Sequence, residues 1–246
     1  MLGYQQLLTN LLAKDFTFVA FDEFVPAQRI AALRHDVDAD LEAAVFIAEL
    51  ERDFGIRSTY FLMLRSPLYN LLNSEFASYA RRLGNLGHWI GLHYDENYDS
   101  LAGLGQQETI SSVFSQVSQV QELTGREVRT VSFHQPSQKL LAALPDLGSL
   151  VSTYDFLHQP GYSYVADSNR SEHFQSFFSR LEEGVEPVAS LQILIHPMWW
   201  FYADDTTEQV WNRVIESNFR IAQKHVLDTE RAFGPERDIT VGRRPQ

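Results

Sequence analysis

The 246-residue chain contains no cysteine. That excludes disulfides, thiolate zinc sites, iron–sulfur clusters and a cysteine nucleophile. Any metal must sit on histidine, carboxylate or carbonyl ligands, and eight histidines are present. Basic residues are scarce, 20 Lys and Arg against 32 Asp and Glu, for a net charge of −12. A surface this acidic repels phosphate backbones, so nucleic acid is not an expected partner. No apolar run reaches the roughly 18 residues that a membrane helix needs, and no membrane insertion is expected. Met1 to Phe18 lacks a basic leader region, and Gln5, Gln6, Thr9 and Asn10 break its apolar residues. It reads as a short amphipathic helix and not as a signal peptide, so a soluble cytoplasmic chain is expected. A Gly-x-Ser-x-Gly elbow is also missing, which removes the usual serine-hydrolase arrangement. Gly103-Leu-Gly105 lacks the third glycine of a dinucleotide loop and reads as a turn. Oligomeric state is not readable from these features.

Hydrophobic residues make up 44% of the chain, enough for a sizeable core. No linker, low-complexity tract or internal repeat divides it, so residues 1–246 read as one domain, with 1–29 an N-terminal helical extension and 234–246 a polar tail. Short runs rich in Val, Ile, Phe and Leu alternate with longer stretches of helical period. Strands are predicted at Ile30–Leu33, Ser58–Leu64, Trp89–Leu92, Val128–Phe133, near Leu150–Thr153 and at Leu191–Ile195. Helices are predicted at Leu41–Phe54, Glu75–Leu86, Glu108–Leu123 (stopped by Gly125) and near Thr207–Phe233. Helices between short buried strands argue for βαβ units on a parallel sheet, and six or seven units suggest a closed or nearly closed α/β barrel.

Four of the predicted strands run into ionisable residues: Arg34-His35-Asp36-Val37-Asp38, His93-Tyr94-Asp95, His134-Gln135-Pro136 and His196-Pro197. In a parallel barrel all strand C-termini open on one face, so these groups converge. Asp and His suit zinc or a similar divalent ion, which acidifies a bound water and polarises a carbonyl. The carboxylates of an Asp-x-Asp at a strand end lie on one side, because side chains alternate with period two. One can hold a metal while the other takes a proton from water, and a histidine from another strand can protonate a leaving amine. Those parts fit amide hydrolysis.

The strings Arg34-His-Asp-Val-Asp38, Ser58-Thr-Tyr-Phe-Leu62, Gly87-His-Trp-Ile-Gly-Leu-His93, Phe133-His-Gln-Pro136 and Ile193-Leu-Ile-His-Pro197 resemble the ordered motifs of the NodB-like polysaccharide deacetylases (carbohydrate esterase family 4). The likeness spans about residues 30–200. Within that family, Arg34-His-Asp-Val-Asp38 and Gly91-Leu-His-Tyr94 are similar to a branch associated with O-antigen loci (WbmS-like). The resemblance implies a distorted (β/α)7 barrel and metal-dependent removal of an N-acetyl group from a nucleotide- or lipid-linked sugar. It makes Asp36 the general base, Asp38 and His93 metal ligands, and His196 the general acid. Two departures stand out. Asn97 occupies the place of the second metal histidine, and no Gly-Pro follows the aspartates. Either His134, which falls where the family usually has an arginine, supplies the third ligand, or Asn97 does so weakly, or the metal is held poorly. Imidazole is the better ligand, which favours His134.

Other polar residues have plainer readings. Asp40 suits the N-cap of the helix that follows. His88 packs under the site or holds a loop, His35 could orient an aspartate, and His158, His173 and His225 read as surface residues. Trp199 and Trp200 could stack on a sugar ring, and Arg170 could grip a phosphate or carboxylate of the substrate. Hydrolysis of another carbon–nitrogen bond, or carbohydrate binding by a degenerate site, are the alternatives.

Overall fold

The computed structural model describes residues 3–25, 29–184 and 189–229. In chain order the elements are α1 (Tyr4–Ala13), β1 (Thr17–Phe18), β2 (Ile30–Val37), α2 (Leu41–Asp53), β3 (Thr59–Leu62), α3 (Ser74–Asn85), β4 (Trp89–Asp95), α4 (Asn97–Ala102) and α5 (Gln106–Thr124). Then come β5 (Val128–His134), α6 (Gln138–Ala142), β6 (Val151–Ser152), β7 (Tyr162–Ala166), α7 (Glu172–Glu182), β8 (Ser190–Ile195), α8 (Pro197–Phe201) and α9 (Thr207–Thr229). The eight strands form one sheet, seven in the order β6-β5-β4-β3-β2-β8-β7 and β1 beside β2. Every pairing is parallel.

The sheet curls. Val151 of β6 and Tyr162 of β7 come from opposite ends of that order, yet both pack against the cluster that holds Phe21, Phe24, Ile30, Ala32 and Phe61. Among the described residues no hydrogen bonds join β6 to β7, so the barrel is distorted and open at that seam. Alternation along each strand sorts residues between the inside and the helical layer. On β2, Ile30 and Ala32 face in, while Ala31 and Leu33 pack with α1 and α7. The same period carries Arg34 and Asp36 inward and His35 outward. On β5 it packs Val131 and Phe133 into the outer core and turns Ser132 toward Arg34 and His93 and His134 into the cavity.

The strands are longer than their apolar runs. β2, β4 and β5 continue through Asp36, His93 and His134, so these polar residues lie within the sheet and not beyond it. Period-two geometry tolerates this because their side chains point into a cavity that opens at the strand ends. The segment expected as a helical extension does more than that. α1 buries Tyr4, Leu7, Leu8 and Leu11, and β1 pairs with β2. Asp40 caps α2 as expected, accepting from Ala43 N at 2.9 Å. Gly125 ends α5 with φ +65°, a left-handed turn that a side chain would strain. β7, α7 and α8 had no predicted counterpart. The expected end of the last helix beyond Thr229, and the polar tail 234–246, lie outside the described residues. No helix among the described residues is long and apolar enough to cross a membrane.

Candidate metal centre and active site

A cavity of about 460 Å³ lies at the C-terminal ends of the strands, lined among others by Asp36, Asp38, His93, His134 and His196. Five residues predicted to converge therefore do so. Asp38 Oδ1 lies 3.0 Å from His93 Nε2 and 3.5 Å from His134 Nδ1, and the two ring nitrogens are 3.2 Å apart. One ligand atom from each residue falls within 4.8 Å of the others.

The residues fit a divalent cation. His93 Nδ1 stands 3.1 Å from Ser132 Oγ, which also accepts from Arg34 and lies 3.4 Å from Asp36 Oδ1. If the serine hydroxyl donates to Asp36, its lone pairs accept from Arg34 and from His93 Nδ1–H. His93 Nε2 then presents a bare lone pair to the cluster. Asp38 Oδ1 is buried and makes no regular hydrogen bond, although His93 Nε2 lies 3.0 Å away. A buried carboxylate oxygen facing two imidazole nitrogens is the donor set of a divalent site with open positions. Burial pushes the Asp38 carboxyl up, but His134 and His93 outweigh that and hold it well below the usual carboxylate range. Asn97 is exposed at the start of α4, its backbone N–H donating to Asp95, and it takes no part in the cluster.

Asp36 is clamped by Arg34. Nε donates to Oδ1 at 2.9 Å and Nη2 to Oδ2 at 2.7 Å, with both residues almost wholly buried. Arg34 Nη2 also reaches Tyr154 Oη at 3.2 Å, from the loop after β6. Burial raises the Asp36 pKa, but Arg34 and then His93 lower it further, so the group stays ionised.

His196 caps α8, across the cavity. Its Nδ1 is 2.6 Å from Asp167 Oδ1 and its backbone N–H donates to Oδ2 at 2.9 Å. Trp200 Nε1 donates to the same oxygen at 2.7 Å. Burial lowers the imidazole's pKa, but the Asp167 carboxylate, then Asp38 and Asp36, push it up to about 9. With Nδ1 held by Asp167, the free Nε2 faces Asp38 Oδ2 at 3.7 Å.

The remaining predicted residues part company. Trp199 lines the cavity but is only 5% exposed. Trp200 and Arg170 do not line it. Trp200 turns toward Tyr4 and Phe174, with ring centroids 5.2 and 5.6 Å away, and Arg170 donates to the backbone carbonyls of Tyr202, Trp199 and Asp205. His35 does not orient an aspartate. It faces out of the barrel, where its Nε2 lies 2.7 Å from buried Glu51. His88 holds the backbone below, 2.9 Å from Ala48 O. His158, His173 and His225 are exposed as expected. Sequence reasoning missed Arg34, Ser132 and Asp167 as partners. The first two were findable, since each sits two residues from an assigned residue on the same strand. Asp167 reaches His196 across 29 positions, and no local pattern announces it.

No protein-family profile matches the chain, and no curated protein matches it in sequence. The solved structures that match include carbohydrate esterases of family 4 and polysaccharide deacetylases. A variant with restored activity of a family 4 pseudoenzyme from Bacillus anthracis is 15% identical over 82% of this chain, with a TM-score of 0.48; this chain covers 65% of its length. A family 4 acetyl xylan esterase from Clostridium thermocellum, in complex with a cobalt ion, is 14% identical over 79% of this chain and 83% of its own, at 0.45. A variant of a Bacillus subtilis peptidoglycan deacetylase is 14% identical over 86% of this chain and 100% of its own, at 0.47. Likenesses this distant carry no chemistry across, and what the site can do follows from its own side chains.

Proposed function

We propose that this protein is a metal-dependent hydrolase that removes an N-acetyl group from a sugar. One juxtaposition carries the reading: a proton acceptor (Asp36), a ligand cluster (Asp38, His93, His134) and a proton donor (His196) line a single cavity. Asp38, His93 and His134 would hold the ion, zinc by the preference of such donors. Because Arg34 keeps Asp36 a weak base, the ion would supply the acidity that a reactive water needs and would polarise the acyl carbonyl.

Asp36 accepts the water's proton, aimed and held ionised by Arg34. His196, which the Asp167 carboxylate pushes toward its charged form and fixes through Nδ1, offers its Nε2 proton to the departing nitrogen. Water adds to the acyl carbon, the C–N bond breaks, and acetate and a free amine leave. The resemblance to O-antigen-associated deacetylases suggests a role in surface polysaccharide biosynthesis.

Acetate release from a panel of acetamido sugars, with zinc or cobalt supplied, tests this. Activity is expected on at least one sugar and should fall roughly 10²- to 10⁴-fold in His196→Gln. Cleavage of small cyclic amides instead would move the substrate to another carbon–nitrogen bond. Full activity in His196→Gln would remove it as the acid.

A further inference from the structure

We infer that Trp211, on α9, is a stacking platform for the second sugar ring of the substrate at the mouth of the catalytic cavity. This rests on the saccharide reading above. The cavity has a buried floor, with Asp36 3% and His93 1% exposed, whereas Trp211 lines the same cavity at 36% exposure. A substrate with its acetamido group at the floor would have this indole, with the similarly exposed Tyr164, among the walls it extends along. Trp199 beside it is covered, at 5%.

The ring is held in advance. It meets Trp199 edge to face, centroids 5.8 Å apart and planes at 88°. Arg170 braces Trp199 from 5.5 Å and donates to Tyr202 O at 2.8 Å and to Asp205 O, in the turn that launches α9. Val210 and Val214, both fully buried, anchor the helix on either side of Trp211 in sequence. An indole fixed this way pays little ordering entropy when a flat ring settles on it. A nucleotide base could stack equally well, but among the described lining residues no lysine and no unpaired arginine stands ready for its diphosphate. The one arginine among its described lining residues, Arg34, is engaged by Asp36, and Asp38 adds a second negative charge.

Calorimetric binding in the His196→Gln background, where the ligand is not consumed, tests the assignment. The ligands are acetamido mono- and trisaccharides of gluco and galacto configuration and a nucleotide-linked acetamido sugar. At least one trisaccharide should bind more tightly than its monosaccharide. Trp211→Ala should cut that advantage roughly 3- to 10-fold, and Trp211→Phe should keep most of it. The inference is overturned if trisaccharides gain nothing, if Trp211→Ala retains the full advantage, if no saccharide binds, or if only the nucleotide-linked sugar loses affinity. Failure of the hydrolase reading shows separately, as no acetate released by the unmutated protein from the same saccharides.

Discussion

Arg34 and Asp36 form an ion pair that is 2% and 3% exposed, which makes the base hard to probe by simple substitution. Asp36→Asn would leave a buried guanidinium without its counter-charge, a loss of about 3–5 kcal/mol. The variant should therefore lose both turnover and stability, seen as a lowered urea midpoint. An unchanged midpoint would mean that the pair is not buried in solution. At the third ligand position a cleaner contrast exists. His134→Ala should weaken metal binding at least roughly 10-fold, while Asn97→Ala should leave it as it was, because Asn97 lies on the surface. Isothermal titration with zinc would read both. The reverse order would return the ligand to Asn97.

Among the elements, β4 shows how tightly the barrel interior is filled. A Cβ added at Gly91 would overlap the ring of Phe61 on the neighbouring strand, with which Gly91 is in register. Gly91→Ala should destabilise the fold by about 1–3 kcal/mol, measured by denaturant melting, and should loosen His93 two residues on. No shift in the midpoint would show that Phe61 can move aside. The β2-to-β5 part of the barrel was legible in the sequence because each strand there is a compact apolar run separated from the next by a helix of clear period. β7 was not. Its Tyr162-Ser-Tyr-Val-Ala166 is mostly half-buried or exposed, so burial leaves no apolar signature. Strand ends were misjudged for a chemical reason: Arg34, Asp36, His93 and His134 interrupt the apolar pattern but continue the pleat, since the cavity solvates or pairs them. Trp200 and Arg170 were expected at the substrate because they neighbour His196 and a polar turn. The structure uses one to hold Asp167 and the other to tie down carbonyls.

Taken whole, the molecule places charge on both faces of the sheet. Behind β2, Glu51 is fully buried and accepts from the hydroxyls of Tyr4, Ser58 and Tyr60, with His35 Nε2 at 2.7 Å. Burial would raise its pKa, but His35, His88 and Ser58 bring it down to about 2. The folded value lies below the unfolded one, so this stabilisation is complete above the ordinary range near 4.5 and is lost as pH falls toward 2. His88, lowered mainly by burial, adds a loss that begins as pH drops below 6.5. Unfolding free energy should thus decline on the acid side, and Glu51→Gln should flatten the steepest part between about 4.5 and 2 while lowering stability at neutral pH. An unchanged acid slope would take Glu51 out of that account.

The ion that Asp38, His93 and His134 are arranged to share remains the point on which the chemistry turns. Cobalt titration of metal-stripped protein, followed by its visible absorption, measures this directly. One ion per chain is predicted, with the band abolished in Asp38→Ala and strongly weakened in His134→Ala. No binding by the unmutated chain, or equal binding by all three proteins, would contradict it.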